Sequence, residues 1–588
     1  MKIKRKSKQP LMPQCLNEGL TNSEKYRIHP FHTLDSGSIF RGFPSLVDWI
    51  GNQETVVIDG YVGVDWETIS ARIKTLMADK GLSVNIIDAR FFLKDNNEIN
   101  ELVTPFLGEK GSVWGKVSDL DLSDFFRLEE MQSIVPDTNY PINIVIGVGA
   151  SFVGWDAPVI YLDLPKNELI YRMRAGAITN IGQDKIESIN EMYKRFYFVD
   201  WIVCNKHKCN LLDRIALIAD TQWEDISWMT AEALFTGLRK IAQTVIRPRP
   251  WFDPGAWGGQ WMKSKIPGLS PEEPNYAWSF EIIAPENGLV FESGGNLLEV
   301  SFDTLMFKEY RAVLGKHAEQ YKAYFPIRFD FLDTFDGGNL SIQCHPSLSY
   351  IQHEFGEQFT QDETYYILDC KDDAMVYLGF QETIDPVEFR QALETSKEQG
   401  VALDMSKYIQ THRSTKHDLY LIPNKTVHGS GKNNMVLEIS ATPYIFTFKM
   451  YDWLQRDLAG NLRPINIEHA FNNLDFDRKG EKVEQELIAT PYVLDEGDNW
   501  SVYHLPTHRD HYYDVHRIEF EGEVTVDTEN TCHLLMLVEG TSIKVVSGDG
   551  VAREYYYAET FIIPAEATPY TLQNKGSGSA KVIKAFLK

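Results

Sequence analysis

A proline-rich segment divides this chain into two parts whose hydrophobic patterns differ. Residues 247–255 have the sequence Arg-Pro-Arg-Pro-Trp-Phe-Asp-Pro-Gly, and its three prolines cannot continue the helix-like segment that precedes them, from about Trp223 to Ile246. Before this seam, apolar runs alternate with helical stretches. After it, short β-rich runs alternate with turn residues. The sequence therefore predicts a multidomain protein with an α/β part followed by a β-rich part.

The part before the seam is predicted to form one α/β domain over residues 1–246. Alternation of apolar runs with helical stretches is typical of a parallel sheet that has helices on both faces. The runs that we interpret as strands are 55–58, 84–87, 142–146, 159–162 and 201–203.

The part after the seam is predicted to form two β-rich domains, over residues 247–485 and 486–588. The strands expected in the first are 341–343, 365–369, 375–380, 419–422, 435–439 and 445–450. Short strands separated by turn residues are what a jelly roll requires. A helical insertion at about 386–410 interrupts them, and its amphipathic stretches would cover one end of the barrel.

Composition limits the classes of function. The chain has 588 residues, 43% of them hydrophobic, and a formal net charge of −25, which would repel a nucleic-acid backbone. The basic N-terminus is not followed by an apolar segment of signal-peptide length, and no run reaches the 18 apolar residues of a membrane span, so a cytoplasmic location is expected. Six cysteines form no CxxC pair, which favours reduced thiols. The sequence does not specify an oligomeric state.

Four side chains after the seam form a compact set of metal-ligand types. Gln343 and His345 lie two residues apart on a predicted strand and therefore share a face, and Glu363 and His428 on neighbouring strands could complete the shell. Two imidazoles, one carboxylate and one amide oxygen suit zinc or a similar divalent ion. Each residue alone is an ordinary polar residue of a β-sheet, but together they predict a metal site.

The segments around these residues resemble type I phosphomannose isomerases, zinc enzymes of the cupin (jelly-roll) superfamily. The resemblance covers residues 248–588, and the matching segments are 257–259, 277–279, 340–346, 365–369, 376–380, 421–423, 436–439 and 451–453. It implies that Gln343, His345, Glu363 and His428 bind one Zn²⁺ ion, and that the C-terminal cupin-like domain does not hold this ion. It also implies interconversion of mannose 6-phosphate and fructose 6-phosphate, with a small sugar phosphate as the partner. Two alternatives stay open: a non-catalytic sugar-phosphate-binding or regulatory protein, and an isomerase for a different sugar.

The resemblance also implies roles for further residues. Aldose–ketose isomerisation moves a proton between adjacent carbons through an enediol, which requires an acid–base group and an electrophile. Glu438 is a candidate for the proton shuttle, Lys449 for stabilising the enediolate, and Arg456 for an additional cation. Ser341 and Arg328 are expected to contact the substrate. The ordinary alternatives are a salt-bridge carboxylate for Glu438, a solvated strand lysine for Lys449 and a surface arginine for Arg456.

Three positions depart from the family pattern. Asp330 and Gln361 stand where the family has lysines, and Lys449 stands where it has an arginine. Lysine keeps the charge but loses the bidentate fork of a guanidinium group. Arg328, two residues before Asp330, could pair with that aspartate or supply the missing charge to a phosphate. The identity of the sugar is therefore open, whereas the metal site matches the family.

The first domain resembles P-loop nucleoside or uridine kinases in a degenerate form. Residues 56–68 occupy the strand–loop–helix position of the phosphate-binding loop, but Asp65 replaces its second glycine and Trp66 replaces its lysine. An aspartate there would repel a phosphate. Residues 160–165, followed by Arg172 and Arg174, resemble the kinase strand and lid helix. We therefore predict a domain with this fold but without kinase activity, and its role stays open.

A group of histidines near the C-terminus has two interpretations. His504, His508 and His511, together with Asp510, could form a second metal site or a polar loop before a strand. No cysteine or fixed-spacing partner supports a ligand role, and the polar loop is favoured.

Overall fold

The computed structural model describes residues 4–18, 25–284, 286–441, 443, 445–457, 460 and 462–588. The chain divides into two units. Unit 1 comprises residues 1–20, 31–240 and 285–308, and unit 2 comprises residues 21–30, 241–284 and 309–588. The segment 285–308 thus belongs to unit 1 although it follows the proline-rich seam in the sequence.

Unit 1 is built on a seven-stranded sheet with a parallel centre. The strand Thr55–Gly60 pairs in parallel with Ile142–Ile146 on one side and Val159–Asp163 on the other. Two antiparallel strands extend one edge. In spatial order, the seven strands are Phe40–Arg41, Ser227–Thr230, Ile215–Asp220, Val159–Asp163, Thr55–Gly60, Ile142–Ile146 and Val84–Asp88. The central strands are buried along almost their whole length, which is why they are continuous apolar runs in the sequence.

One predicted strand of this sheet is wrong. Residues 201–203 lie in the helix Trp201–Leu211, and the strand at this point of the sheet is Ile215–Asp220. A short apolar run does not distinguish a buried helix from a buried strand, and here the helix is buried on most of its surface.

The rest of unit 1 consists of helices and a small sheet. The strands Gly288–Ser293 and Asn296–Ser301 form an antiparallel hairpin, and His32–Thr33 pairs with it in parallel. The α-helices of unit 1 are Phe43–Ile50, Trp66–Asp79, Asn96–Val103, Leu128–Gln132, Lys166–Arg174, Ile189–Arg195 and Trp201–Leu211. Two further helices, Ala231–Ala242 and Phe302–Leu314, contain the points at which the chain passes from one unit to the other.

Unit 2 contains two pairs of sheets. In the first pair, a six-stranded sheet has the order Leu419–Ile422, Glu363–Cys370, Asn434–Ala441, Ile327–Asp333, Trp278–Ile282 and Trp251–Asp253. Its partner has the order Ile409–Arg413, Met375–Phe380, His428–Ser430, Ile342–Cys344 and Phe448–Tyr451. Buried residues from both sheets, including Tyr365, Ile367, Val436, Val376 and Leu378, form one apolar core.

The second pair of sheets is formed by the C-terminal residues 492–587. The six-stranded sheet has the order Tyr492–Gly497, Trp500–Leu505, Tyr513–Phe520, Ala580–Leu587, His533–Glu539 and Thr560–Ile563. The four-stranded sheet has the order Glu523–Val526, Tyr570–Asn574, Ser542–Val546 and Ala552–Tyr556. Residues of both sheets contribute to a second apolar core, to which Ile518, Leu535 and Leu572 belong.

The helices of unit 2 are short except for the one in the predicted insertion. That insertion contains the helix Pro386–Gln399, which is capped by Asp385 and ends at Gly400 with a positive φ of 66°. The other α-helices are Trp261–Lys265, Ala318–Tyr321, Leu348–Phe355, Ile467–Phe471 and Glu481–Leu487. Among the residues described, no helix combines the length and apolar character that a membrane crossing requires.

Candidate metal centre and its surroundings

Cross-strand pairing places the predicted site residues in rows on two sheets of unit 2. On the five-stranded sheet, Gln343 pairs directly with His428 on one side and with Lys449 on the other. On the six-stranded sheet, Glu438 pairs directly with Asp330 and with Tyr365. Directly paired residues of antiparallel strands share a face, so each row presents its side chains together.

A second row on the six-stranded sheet lies two residues further along. Ser440 pairs directly with Arg328 on one side and with Glu363 on the other. Residues two apart on a strand share a face, so both rows of this sheet are on the face that also carries the core residues Leu332, Ile367 and Val436. The site therefore lies between the sheets, next to the apolar core.

Three of the four predicted ligands converge on one point. The Nε2 atom of His428 lies 2.8 Å from Glu363 Oε1, and the Nε2 atom of His345 lies 3.1 Å from Glu363 Oε2. One donor atom from each of the three residues lies within 4.8 Å of the others, and all three residues are buried. Two imidazoles and a carboxylate at this spacing are a donor set for a divalent ion of the zinc type.

The fourth predicted ligand, Gln343, lies in contact with this cluster. Its Nε2 atom is 3.2 Å from His428 Nε2, and its Oε1 atom accepts a hydrogen bond of 2.8 Å from Ser341 Oγ. Rotating the amide by 180° directs Oε1 towards the imidazoles and lets Nε2 donate to the Ser341 hydroxyl. Ser341 therefore fixes the amide plane of Gln343.

The two imidazoles are oriented by backbone carbonyls. His345 Nδ1 lies 3.1 Å from the Phe446 carbonyl oxygen, and His428 Nδ1 lies 2.9 Å from that of Thr426. An Nδ1 that donates its proton to such a carbonyl leaves the Nε2 atom of the same ring able to offer a lone pair to a cation at the centre of the cluster. Such carbonyl partners are the usual way in which metal-binding histidines are held.

Two buried atoms at the centre show that the residues fit a metal ion. Within the part of the chain that the structure describes, His345 Nε2 and Glu363 Oε1 are shielded from solvent and make no well-aligned hydrogen bond. A buried polar atom without a hydrogen-bond partner is costly, and coordination of a cation removes that cost. Burial disfavours the charged form of Glu363, but the neighbouring His345 and His428 outweigh it and hold the pKa of this carboxyl well below its usual value.

Next to the metal ligands lies a buried network of charged groups. Arg328 donates to Glu438 and to Ser440, the latter at 2.5 Å, and its Nη2 lies 3.8 Å from Asp330. Burial raises the pKa of Asp330 to about 7, with Glu363 adding to the rise and Arg328 opposing it. Burial, Asp330 and Glu363 also raise the pKa of Glu438 well above its usual value. One arginine thus faces more carboxyl groups than it can neutralise.

Lys449 lies on the opposite sheet from this network and is half-buried. Burial and the nearby Arg463 lower the pKa of its ammonium group to about 8, while Asp452 opposes the change. Arg463 itself forms an ion pair of 3.1 Å with Asp452. Arg463 thus lies close enough to Lys449 to influence it electrostatically, and Lys449 is the residue paired with Gln343.

The remaining predicted residues lie in different surroundings. Arg456 is exposed and donates to the Gly460 carbonyl oxygen at 2.8 Å, outside the cluster. Arg328 pairs with Asp330, which was one of its two predicted roles. Gln361, at a position where the sequence comparison expects lysine, donates to Glu363 Oε2 at 3.2 Å.

Sequence reasoning did not identify two arginines near the site. Arg463 is one of them, and the other is Arg478, which donates to the carbonyl oxygens of Pro423 and Asn424 and to the Thr426 hydroxyl. Arg478 therefore holds the turn whose carbonyl orients His428. Neither arginine belongs to a recognisable sequence motif, so only the fold reveals their positions.

In unit 1, Asp65 and Trp66 of the predicted phosphate loop have structural roles at the start of a helix. Asp65 caps the helix Trp66–Asp79, accepting a hydrogen bond of 3.1 Å from the Thr68 amide. The side chain of Trp66 is buried. Both residues line a cavity of about 730 Å³ within unit 1. The carboxylate of Asp65 occupies the helix N-terminus at which a phosphate would otherwise bind.

Comparison with known proteins assigns different relatives to the two parts of the chain. Residues 42–243 match a family model described as a domain of unknown function, DUF8485. The chain is 24% identical over 326 residues to the probable mannose-6-phosphate isomerase GmuF of Bacillus subtilis, which is 55% of this chain and 94% of that protein. It is 26% identical over 218 residues to a mannose-6-phosphate isomerase of Streptococcus mutans, which is 37% of this chain and 64% of that protein.

A solved structure, the mannose 6-phosphate isomerase from Bacillus subtilis, aligns with a TM-score of 0.47 and 20% identity, over 58% of this chain and 99% of that one. The sequence matches establish that about 55% of the chain is homologous to proteins named as mannose-6-phosphate isomerases.

Proposed function

We propose that this protein is a metal-dependent aldose–ketose isomerase that interconverts mannose 6-phosphate and fructose 6-phosphate. The observation that carries the proposal is the convergence of His345, Glu363 and His428 in a buried cluster, with Gln343 in contact and two buried polar atoms at its centre that lack a well-aligned hydrogen bond. Homology to proteins named as mannose-6-phosphate isomerases supports the reaction and the substrate. The ligands are then Gln343, His345, Glu363 and His428, and Zn²⁺ is the ion that suits them.

The proposed reaction requires an electrophile and a proton carrier at the same place. A bound divalent ion supplies Lewis acidity that polarises the sugar carbonyl and hydroxyl oxygens. Glu438 lies on the same sheet face as Glu363, one row along, and burial with neighbouring carboxyl groups raises its pKa, so it is the carboxyl group that we assign to proton exchange with a sugar held at the cluster. Lys449, across the strand from Gln343, supplies a positive charge that stabilises developing negative charge on the enediolate oxygens.

The choice of sugar depends on how the chain compensates for two missing lysines. Asp330 is buried and paired with Arg328, and Gln361 is bonded to Glu363, so neither offers a cation to a phosphate. Lys449 is the cation whose strand position pairs it with a proposed ligand, Gln343, and Arg463 lies near Lys449 in an ion pair with Asp452. These substitutions favour a second candidate function, the isomerisation of a different sugar at the same metal centre.

A substrate panel distinguishes the candidates. Purified protein with a measured zinc content is assayed for conversion of mannose 6-phosphate, of other aldose 6-phosphates and of free mannose. The proposal predicts that mannose 6-phosphate is converted with the highest kcat/KM and that free mannose is converted poorly. Faster turnover of another sugar supports the second candidate. A zinc-loaded protein that converts none of them contradicts both and supports a binding or regulatory role.

A further inference from the structure

A second cluster of metal-ligand types lies in the C-terminal part of unit 2. His504 and His516 are directly paired across neighbouring strands, and Asp514 precedes His516 by two residues on the same strand. The three side chains therefore share one face of the sheet. One donor atom from each lies within 4.8 Å of the others, and His504 Nε2 lies 2.9 Å from Asp514 Oδ2. The second cluster thus contains two histidines and one carboxylate, and its donor atoms lie within the same distance of one another as those of the first cluster.

The face that carries this cluster points into the C-terminal sheet pair. Ile518 and Phe520, which continue the same face of the strand beyond His516, belong to the apolar core between the two sheets. The cluster thus occupies one end of the interior, beside that core, as His345, Glu363 and His428 do in the first sheet pair. His504 and Asp514 remain 19% and 18% exposed, so an ion can reach them from solution.

The side chains of the cluster are held by outer contacts typical of metal ligands. Tyr492 Oη lies 2.7 Å from His504 Nδ1, which leaves His504 Nε2 directed at the cluster. Asp514 Oδ1 accepts hydrogen bonds from the Thr507 hydroxyl at 3.1 Å and from the Val515 amide at 3.0 Å, and Asp514 Oδ2 faces His504. Such contacts fix the tautomer of an imidazole and the orientation of a carboxylate before an ion binds.

An unsatisfied atom supplies an independent indication. Among the residues described, His516 Nδ1 is shielded from solvent and has no hydrogen-bond partner. The ring of His516 is fixed edge-on against Phe586, with ring centroids 4.8 Å apart. An imidazole nitrogen that is buried without a partner is costly, and an ion would remove that cost where Nδ1 is the nitrogen that the ring presents to it.

We propose that His504, Asp514 and His516 form a second divalent metal site, separate from the candidate isomerase centre. Two imidazoles and one carboxylate favour Zn²⁺ or a similar transition-metal ion over Mg²⁺ or Ca²⁺, which prefer oxygen ligands. Three protein ligands and a partly exposed position leave room for water or for a small ligand at the ion. The ligand set differs from the histidine group in the sequence: His508 instead accepts from the Asp510 amide, and His511 stacks on Tyr513.

Lys584 is the neighbour that opposes cation binding at this site. It pairs directly with His516 from the adjacent strand, and its ammonium group lies 4.7 Å from the Phe586 ring centroid. A positive charge at this position weakens the binding of a cation by repulsion. Replacing Lys584 with methionine should therefore tighten metal binding at the second site and leave the first site unchanged.

The test counts bound ions in variants that remove one cluster at a time. Full-length wild-type protein, His345→Gln, His504→Gln and the variant with both changes are loaded with Zn²⁺, dialysed and analysed for metal. We expect one ion per chain at each intact cluster and none in the double variant. In a His345→Gln background, His504→Gln or His516→Gln should weaken Zn²⁺ binding at least about tenfold in calorimetry, since loss of an outer-shell contact alone costs about that much. His508→Gln is the matched control and should have no such effect.

The possible outcomes distinguish failure of the second metal site from failure of the proposed isomerase centre. One ion in wild-type protein that is lost in His345→Gln and retained in His504→Gln overturns the second site and leaves the first intact. One ion that is lost only in His504→Gln supports the second site and contradicts the first. Binding that falls equally in His508→Gln shows non-specific histidine binding and overturns the inference. Circular dichroism of each variant establishes that it is folded.

Discussion

Lys449 is directly paired with Gln343 on the neighbouring strand, so its side chain lies on the same sheet face as a proposed metal ligand. Gln343 is paired with His428 on its other side, which makes a row of ligand, ligand and cation along one sheet. The arrangement depends on strand register, because a one-residue shift of any of these three strands would turn its own side chain to the opposite face.

Lys449→Met should lower kcat for mannose 6-phosphate by about 10- to 100-fold, because a charge-assisted contact of about 1.5–3 kcal/mol is lost. A loss confined to kcat would indicate that the contact forms in the transition state. Lys449→Arg keeps the charge and should recover part of the rate. Arg456→Met, which removes an exposed cation, is the control. Equal effects of Lys449→Met and Arg456→Met on kcat would contradict the assigned role of Lys449.

Arg328→Met should destabilise unit 2 by about 3 kcal/mol, because it leaves Asp330 and Glu438 buried without their cation. The exposed pair of Arg311 with Glu319 provides a matched control, since Arg311→Met should change stability by about 1 kcal/mol or less. Urea unfolding at neutral pH measures both. If Arg328 instead binds the phosphate, as the sequence also suggested, Arg328→Met will raise KM with little change in stability.

Unit 1 should not bind ATP with useful affinity. Asp65 already caps the helix at the phosphate position, and its negative charge would repel a triphosphate. Calorimetry of the full-length protein with Mg-ATP should show a Kd no tighter than about 1 mM. Micromolar binding would contradict this interpretation and would require a role for the cavity beside Asp65 and Trp66.

Acid should destabilise unit 2 in part through His511. This residue is fully buried, and burial, together with His508 and Lys588, lowers the pKa of its imidazole well below the usual value. Below about pH 6.5 the unfolded chain takes up a proton that the folded chain does not, so folding free energy is lost as the pH falls, by up to about 1.4 kcal/mol per pH unit.

The pH dependence is tested by comparing variants. His511→Gln should have a smaller difference in unfolding free energy between pH 7.5 and 5.0 than wild-type protein has. His353→Gln removes an exposed imidazole and should keep the wild-type difference. If His511→Gln and wild-type protein have the same difference in unfolding free energy between the two pH values, the contribution of His511 is ruled out.

Local sequence patterns were sufficient to predict many of the strands in the first sheet pair of unit 2. The strands Met375–Phe380 and Leu419–Ile422 have the predicted bounds, because each is a short apolar run. The convergence of His345, Glu363 and His428 also agrees with strand phase. The placement of Arg463 and Arg478 depends on the folded chain, and no local sequence signal predicts it. The pairing of His504 with His516 depends on the register of two consecutive strands, which the sequence pattern did not specify. The start of the helix Trp201–Leu211 was predicted as a strand, because a short apolar run fits a buried helix and a buried strand equally well.

The most direct test of the central claim is the conversion of mannose 6-phosphate followed by NMR with protein whose metal has been removed and then restored. We predict that chelated protein is inactive, that Zn²⁺ restores formation of fructose 6-phosphate, and that His345→Gln stays inactive at the same zinc concentration. Conversion by metal-free protein, or by His345→Gln at the wild-type rate, would contradict the proposal that Gln343, His345, Glu363 and His428 form the catalytic metal centre.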